Sequence, residues 1–325
     1  MKNITQKFSL ALLTLIPVTL LTSSLALAQD QDENEAQDPA IYGCRQCVQY
    51  VGWRGEINFG LDRISDDSLR FADYRGRDED GSVYTADGEV HYRSLKGWYF
   101  DLYSVDTVYD SRLSELRMGK TDHVQLRLGW QEIPKYRGYG TQTPFLGVGT
   151  DNLTLPGDWV YAPNTGQLTA LQGSLAAAAL KTQRETFDGG ATVHLGRHVT
   201  FKVDYQKQKK EGTRMMSGGF FNAAVVPAPV DFTTDILESS LAFASKRVQL
   251  QVGFMSSEFE NEYNSLTWRN PFSSRPGNYY LQTALEPGNE FTRFNVSGAL
   301  MITQRIRFSG QAAMGELKQD DPFIP

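Results

Sequence analysis

Two cysteines, Cys44 and Cys47, are the residues whose type and spacing most directly suggest chemistry. They occur as Cys-Arg-Gln-Cys, with Val48 next in the sequence. A covalently attached c-type haem needs a histidine at that next position, so the chain is not expected to bind one there. A closed zinc site needs two further ligands, and no histidine is adjacent in the sequence. The pair is therefore expected to form a structural disulfide, which an oxidising compartment favours, or a redox-active pair.

The N-terminus indicates that the chain is exported. Two lysines precede an uncharged stretch over 8–25, and Ala26-Leu27-Ala28 is a small-x-small cleavage pattern before an acidic segment. These features are typical of a secretory signal peptide and less typical of a retained helical anchor. We expect a signal peptide over 1–28, a periplasmic segment with the cysteine pair over 29–50, and a third region over 51–325.

The third region alternates apolar and polar residues with a period of two. Val124, Leu126, Leu128 and Trp130, for example, alternate with polar residues or glycine. This period predicts strands with one apolar face, so the fold class is all-β. Only 168–181 suggests a helix. Eleven strands are expected, at 51–62, 83–93, 98–106, 113–119, 124–131, 184–195, 199–206, 235–245, 248–254, 291–302 and 306–314.

The lengths of the connections distinguish a membrane barrel from a soluble sandwich. Every second connection is tight, at about 95–97, 120–122, 196–198, 246–247 and 303–305, and the others are longer. Outer-membrane barrels alternate short periplasmic turns with long outward loops in this way. The sequence therefore predicts a transmembrane antiparallel up-and-down β-barrel in the bacterial outer membrane.

Eleven strands do not close such a barrel, because single-chain bacterial barrels have an even number. The last residues, Asp320-Asp321-Pro322-Phe323-Ile324-Pro325, read as the start of a loop and not as a closing strand. We expect about 11–12 strands that form the N-terminal part of a larger, incomplete barrel.

Charge excludes one class of partner. The formal net charge is -6, and no basic cluster is available to neutralise phosphates, so nucleic-acid binding is not expected. No recognisable set of nucleophile, base and orienting acid is present, so an enzyme is not expected either.

Several short stretches, in order along nearly all of the mature chain, resemble the MtrB/PioB family of decahaem-associated outer-membrane proteins. No single stretch is specific by itself, but the ordered set of stretches is fairly specific. Besides the cysteine pair, which matches a motif in part of the family, they are Ser68-Leu-Arg-Phe71-Ala-Asp-Tyr74-Arg-Gly76, Phe100-Asp-Leu-Tyr103, Ser111-Arg-Leu, Gln131-Glu-Ile-Pro134, Thr143-Pro-Phe145, Pro229-Val-Asp-Phe232-Thr-Thr-Asp235, Thr267-Trp-Arg-Asn-Pro-Phe272 and Glu286-Pro-Gly-Asn289.

The resemblance implies a barrel with roughly twice as many strands, which surrounds a periplasmic decahaem c-type cytochrome and meets an extracellular multihaem cytochrome. The haems would belong to these partners, and this chain would bind no cofactor itself. Charged residues at the polar positions of the alternation are then expected to line the lumen and contact the partner. They are Arg54, Glu56, Arg127, Lys202, Asp204 and Arg307. A general diffusion porin or a surface adhesin has the same polar lining and remains the alternative.

Overall fold

The computed structural model describes residues 51–65, 67–77, 80–138, 140–218, 224–273, 280–319, 321 and 324. The expected signal peptide and the cysteine-containing segment lie outside this range and stay predictions. Within it, no helix has the length and hydropathy to span a membrane.

The described residues are mostly strands. In chain order these are β1 (Gly52–Ile64), β2 (Gly81–Arg93), β3 (Trp98–Val105), β4 (Leu113–Lys120), β5 (Val124–Tyr136), β6 (Gln142–Thr143), β7 (Asn152–Leu153), β8 (Ala176–Ala177), β9 (Lys181–Leu195), β10 (Val199–Gly218), β11 (Ala224–Ala244), β12 (Val248–Asn261), β13 (Ser265–Arg269), β14 (Tyr280–Ala284), β15 (Asn289–Thr303) and β16 (Ile306–Lys318). Two short α-helices, α1 (Leu69–Arg75) and α2 (Leu171–Ser174), and a 3-10 turn at Thr165–Gln167 lie in the connections.

Eleven strands form one antiparallel sheet in the order β1-β2-β3-β4-β5-β9-β10-β11-β12-β15-β16. Each strand pairs with the next long strand in sequence, which is the up-and-down topology that the sequence predicts. The connections after β2, β4, β9, β11 and β15 are two to four residues long and lie at one end of the sheet. The sheet is open, with β1 and β16 at its two edges.

All eleven predicted strands are present, and four of them, β5, β10, β11 and β12, are longer than predicted by five or more residues. β10 and β11 pair over twenty positions, from Val199↔Phe243 to Gly218↔Ala224. Between the expected strands at 199–206 and 235–245 the sequence predicts a long link over 211–234, and this prediction is wrong because most of these residues belong to the hairpin. The hairpin continues beyond the neighbouring strands because loop residues bury its outer end, as described below. The helix suggested over 168–181 is limited to α2, and β9 begins at Lys181.

The register of the sheet separates two faces. Leu128 lies opposite Leu116 on β4 and Gly189 on β9, whereas Arg127 lies opposite Arg117 and Gly190. In each long strand, every second residue belongs to an apolar phase and the residues between them belong to a polar phase. Since cross-strand partners point to the same side, the apolar phases of all the long strands share one face and the polar phases share the other. We call these the apolar face and the polar face.

The apolar face is exposed although it is rich in large hydrophobic side chains. Leu128, Leu241 and Val252 are 42%, 48% and 42% exposed, and the rings of Phe254 and Phe294 pack at a tilt of 47° with their centroids 4.8 Å apart. A soluble protein rarely leaves so large an apolar surface in contact with water. The face has the composition of a barrel wall in contact with lipid.

The exposed hydrophobic side chains of the apolar face form a band next to the tight turns, which we call the apolar band. The buried core lies beyond this band, in the long connections. Residues 140–180, 262–273 and 280–288, which we call the cap, pack with the outer end of the β10–β11 hairpin. Within the cap, β7 and β13 pair in parallel although they come from different connections, and β14 completes a three-stranded sheet. Trp268 and Leu266, 2% and 0% exposed, pack with Val226 and Ala228 of the hairpin.

The first connection packs against the wall through α1. Ser68 caps this helix by accepting a hydrogen bond from the Phe71 amide at 3.3 Å, and Gly76 ends it in a left-handed conformation at φ 69°. The Asp73 carboxylate accepts a hydrogen bond from the Tyr136 amide at 2.7 Å, and the Tyr136 hydroxyl donates to the Gly76 carbonyl at 3.3 Å. The end of β5 is therefore covered on its apolar side by this connection.

Candidate functional site: the polar face of the sheet

The six predicted contact residues all lie on the polar face but do not form one site. Arg54 and Glu56 are on the edge strand β1, opposite His91 and Glu89 of β2. Arg307 is on the other edge strand, β16, opposite Met301. The remaining three, Arg127, Lys202 and Asp204, meet near the middle of the sheet. Whether any of them contacts a partner stays a prediction.

The three central residues belong to a network of ion pairs that spans β5, β9 and β10. The Arg127 guanidinium lies 3.3 Å from the Asp188 carboxylate and 3.4 Å from that of Asp204. Lys202 lies 2.8 Å from the other oxygen of Asp204. Two cations and two carboxylates therefore neutralise one another on this part of the face.

Two glycines leave the space that this network needs. A Cβ at Gly129 would approach the Asp188 carboxylate to 2.3 Å, and one at Gly190 would approach the Asp204 carboxylate to 2.6 Å. Because both glycines lie on the polar face beside Arg127, each carboxylate can reach across a strand to the guanidinium. Asp188 was missing from the predicted set, although its place in the alternation of β9 is a signal that identifies it.

A second network lies on β2 and β3 and was also missing from the predicted set. The Asp101 carboxylate accepts hydrogen bonds from Arg93 at 2.7 and 3.1 Å, and its Oδ1 lies 2.7 Å from His91 Nδ1. At the far edge of the sheet Arg307 donates to the Gln249 side-chain oxygen at 3.1 Å. The polar face is thus lined by charged groups whose positions are fixed by neighbouring strands.

The described residues contain no group of three or more His, Cys, Asp or Glu side chains placed to hold a metal ion. The histidines near the tight turns make other contacts: His123 Nδ1 lies 3.0 Å from the Thr121 carbonyl, and His198 Nδ1 lies 2.8 Å from the Ala244 carbonyl. Cys44 and Cys47 lie outside the described residues, so their pairing stays a prediction.

Chemically, this arrangement offers hydrogen bonds and ion pairs to whatever lies beside it. The polar face presents fixed guanidinium, ammonium and carboxylate groups, while the opposite face presents hydrocarbon. Such a sheet separates lipid from a polar interior.

Comparisons with known proteins agree with this geometry. Residues 63–325 match the family described as "Putative outer membrane beta-barrel porin, MtrB/PioB". "Outer membrane protein MtrB" of Shewanella baltica (strain OS185) is 28% identical over 328 residues, which cover 98% of this chain and 46% of that protein. The chain therefore spans less than half the length of this relative.

Among solved structures, in-vitro folded OmpT of Vibrio cholerae has a TM-score of 0.33 and 9% identity, over 82% of this chain and 76% of that one. The toluene transporter TbuX of Ralstonia pickettii has a TM-score of 0.22 and 11% identity, over 84% and 90% of the two chains. Likeness at these TM-scores carries no weight in the assignment.

The family match covers most of the chain, and the sheet has the antiparallel neighbour-to-neighbour topology and the two contrasting faces that an outer-membrane wall requires. The protein is accordingly located in the bacterial outer membrane. The chain belongs to the MtrB/PioB family of outer-membrane β-barrel proteins.

Proposed function

We propose that the barrel to which this sheet belongs surrounds a periplasmic multihaem c-type cytochrome, of the decahaem kind, and positions it to carry electrons across the outer membrane. The haems belong to the cytochrome. The chain described here supplies part of the wall, and an extracellular multihaem cytochrome receives or delivers electrons at the outer end.

The physical need for such a wall follows from the properties of lipid. Hydrocarbon solvates neither a charged redox centre nor the polar surface of the protein that carries it, so a cytochrome cannot cross a bare bilayer. A closed barrel replaces hydrocarbon with polar side chains on its inner side. The polar face described above has the composition that this role needs.

Size also favours a protein in the interior. If the full barrel has about 22 strands, twice the number here, its backbone diameter is roughly 40–45 Å, with strands about 4.8 Å apart and tilted by about 40°. Side chains reduce the free width to roughly 35 Å, about the diameter of a compact 100-residue domain. An empty interior of this width would let solutes leak freely through the membrane.

The observation that carries the proposal is the internal pairing of charges on the polar face. Arg127 is held between Asp188 and Asp204, and Asp101 is held between Arg93 and His91. Paired groups are fixed before a partner arrives, so less side-chain entropy is lost when a protein packs on them. A surface of this kind suits a permanent protein contact.

An open channel for small solutes is the second candidate, because the matched family is described as a porin. It requires the same two faces and differs only in what fills the interior. The adhesin alternative has no specific support among the described residues, and the family is not one of enzymes.

The test is to tag the full-length protein in its native host, extract it from the outer membrane with mild detergent, and examine what is purified with it. The proposal predicts a haem-staining protein in fixed proportion to the barrel. In planar bilayers the purified complex should conduct ions poorly, and the barrel stripped of haem protein should conduct well. A barrel that purifies without haem and already conducts as an open pore would contradict the proposal and support the porin function.

A further inference from the structure

The outer part of the polar face carries positive charge that is not balanced in the way the central network is. Lys135 of β5, Arg184 of β9, and Lys210 and Arg214 of β10 lie on the polar phase of their strands, beyond the apolar band and next to the cap. We call these four residues the basic cluster. The sequence alone predicts no such grouping, because only the register of three strands brings the four residues together. Arg184 and Lys210 are direct cross-strand partners, and Lys135 pairs with Thr182, two residues before Arg184.

An aromatic ring joins two members of the basic cluster. Lys210 Nζ lies 5.9 Å from the centroid of the Phe232 ring, and the Arg214 guanidinium carbon lies 5.7 Å from it. Phe232 is the cross-strand partner of Lys210 on β11. The two cations are therefore gathered around one ring on the polar face.

Among the residues that the structure describes, one carboxylate of the cap contacts the basic cluster. Glu286 lies 2.5 Å from Arg214 and is bound to it through both oxygens. Four cations and one carboxylate leave a formal charge of about +3, whereas the central network of two cations and two carboxylates is neutral. The nearby acidic residues of the same strands, Glu132, Glu185 and Glu211, belong to the opposite phase and point to the other face.

The electrostatic effect of the basic cluster appears at Lys210. Burial lowers the pKa of its ammonium group, and the positive charges of Arg184, Arg214 and Lys135 lower it further, with Glu286 opposing them. Like charges held together in this way repel one another and reduce stability. Their cost is offset when an anion binds between them.

We propose that the basic cluster binds carboxylates of the protein that occupies the barrel interior, at the level where that protein meets the cap. The proposal rests on the proposed function and adds the site and chemistry of one contact. Lys135 and Arg184 are exposed on the polar face and Lys210 is half-buried, so an anion can approach these three side chains from the interior. Arg214 is half-buried and held by Glu286, and its Nε is buried without a hydrogen-bond partner among the described residues. Acidic side chains and haem propionates both present the required carboxylate group.

A pair of double variants tests this site in the full-length protein with its cytochrome. Arg184→Gln with Lys210→Gln removes two charges from the polar face, and Lys207→Gln with Lys209→Gln removes two from the opposite phase of β10 at almost the same height. The first variant should weaken the complex roughly tenfold at low salt, about the sum of two charge-assisted contacts, and should reduce its salt dependence. The second should behave like the wild type.

The outcomes separate the two proposals. If the wild type holds a cytochrome and both double variants bind it equally well with the same salt dependence, the basic cluster is not a carboxylate site, and the proposed function stands. If the wild type holds no cytochrome, the proposed function fails and this inference fails with it.

Zero-length carbodiimide cross-linking identifies the source of the carboxylate, because this reagent joins a lysine amine to a carboxyl group that touches it. Lys135 and Lys210 should be joined either to Asp- or Glu-containing peptides of the cytochrome or to a haem propionate, and mass spectrometry distinguishes these products. Cross-links that involve Lys207 and Lys209 but neither Lys135 nor Lys210 would overturn the proposal.

Discussion

At the scale of residues, the sequence predicts which side chains lie on the polar face but not which of them meet. The six predicted residues share this face because a period of two places them there. Their partners depend on the register between strands. A slip of one residue would place Arg127 opposite Gly189 or Ala191 instead of Gly190. The alternation also places Asp188 and Asp101 on this face, but the ion pairs that they form with Arg127 and Arg93 follow only from the register, which long-range contacts set.

Replacing Arg127 by Gln tests the central network. The variant loses contacts with Asp188 and Asp204 and should be less stable by about 1 kcal/mol in total, because the guanidinium is 44% exposed and each such pair contributes little. Urea unfolding of the barrel in lipid vesicles measures this. Arg307→Gln is the matched control, since Arg307 donates to the neutral Gln249 side chain, and equal losses in the two variants would contradict the account.

The ammonium groups of Lys209 and Lys210 should titrate in opposite directions although the residues are adjacent. A hydrogen bond and the charge of Glu211 raise the pKa of Lys209 above 10.5, while burial and neighbouring cations lower that of Lys210 below it. Only the neutral amine reacts with an acylating reagent, so Lys210 should become reactive at lower pH. Mass spectrometry of the labelled protein over a pH series checks the order.

Glu211→Gln is the control for this titration. It should move the profile of Lys209 to lower pH and leave that of Lys210 nearly unchanged. Superimposable profiles for the two lysines in the wild type would show that they do not lie in different environments.

At the scale of elements, the eleven wall strands were predictable and the cap was not. Alternation and tight turns report local structure, which is why 124–131 or 306–314 identifies a strand without further knowledge. β7 and β13 pair between Asn152 and Thr267, more than a hundred residues apart, and each has too few residues for a period to be detected. The extension of β10 and β11 was missed because it is stabilised by this distant cap and not by lipid.

Trp268→Ala should loosen the cap while the wall remains folded. Trp268 is 2% exposed, and removal of a buried aromatic side chain typically costs about 3–5 kcal/mol. Limited proteolysis should then cleave within the cap, and hydrogen exchange should rise in β13 and β7 but not in the inner half of β10. Tyr280→Ala, at a position 52% exposed, should leave both measurements close to wild type; a wall that opens together with the cap would refute this independence.

Gly76→Ala should release α1 from the wall. Gly76 has φ 69°, and a Cβ there would lie 2.6 Å from the Ser111 amide nitrogen, so the left-handed conformation and the backbone contact both disfavour a side chain. The local cost should be at least about 1 kcal/mol. Protease cleavage over 65–80 in intact cells should increase, whereas Gly157→Ala, which has open space around its Cβ, should cause no change. Equal resistance of both variants would argue against the described packing of α1.

At the scale of the whole molecule, the same sheet has two environments along its height. Near the tight turns its apolar face meets lipid and the charges of the central network neutralise one another. Farther from these turns the cap covers the β10–β11 hairpin, and the basic cluster lies on the polar face. The sequence predicts the lower part because lipid imposes a simple alternation on every strand. The upper part depends on contacts among long connections, which no local pattern records.

The most direct test of the central claim is a site-directed spin-label scan of β5. Single cysteines at each position from Val124 to Gln131, in a Cys44→Ser and Cys47→Ser background, would be labelled and their accessibility to oxygen and to a polar nickel chelate compared. The account predicts oxygen-accessible labels at the apolar positions, and labels at the polar positions that are shielded from the chelate in the native complex and reached by it once the haem protein is removed. Labels without this alternation, or polar positions equally accessible before and after removal, would contradict it.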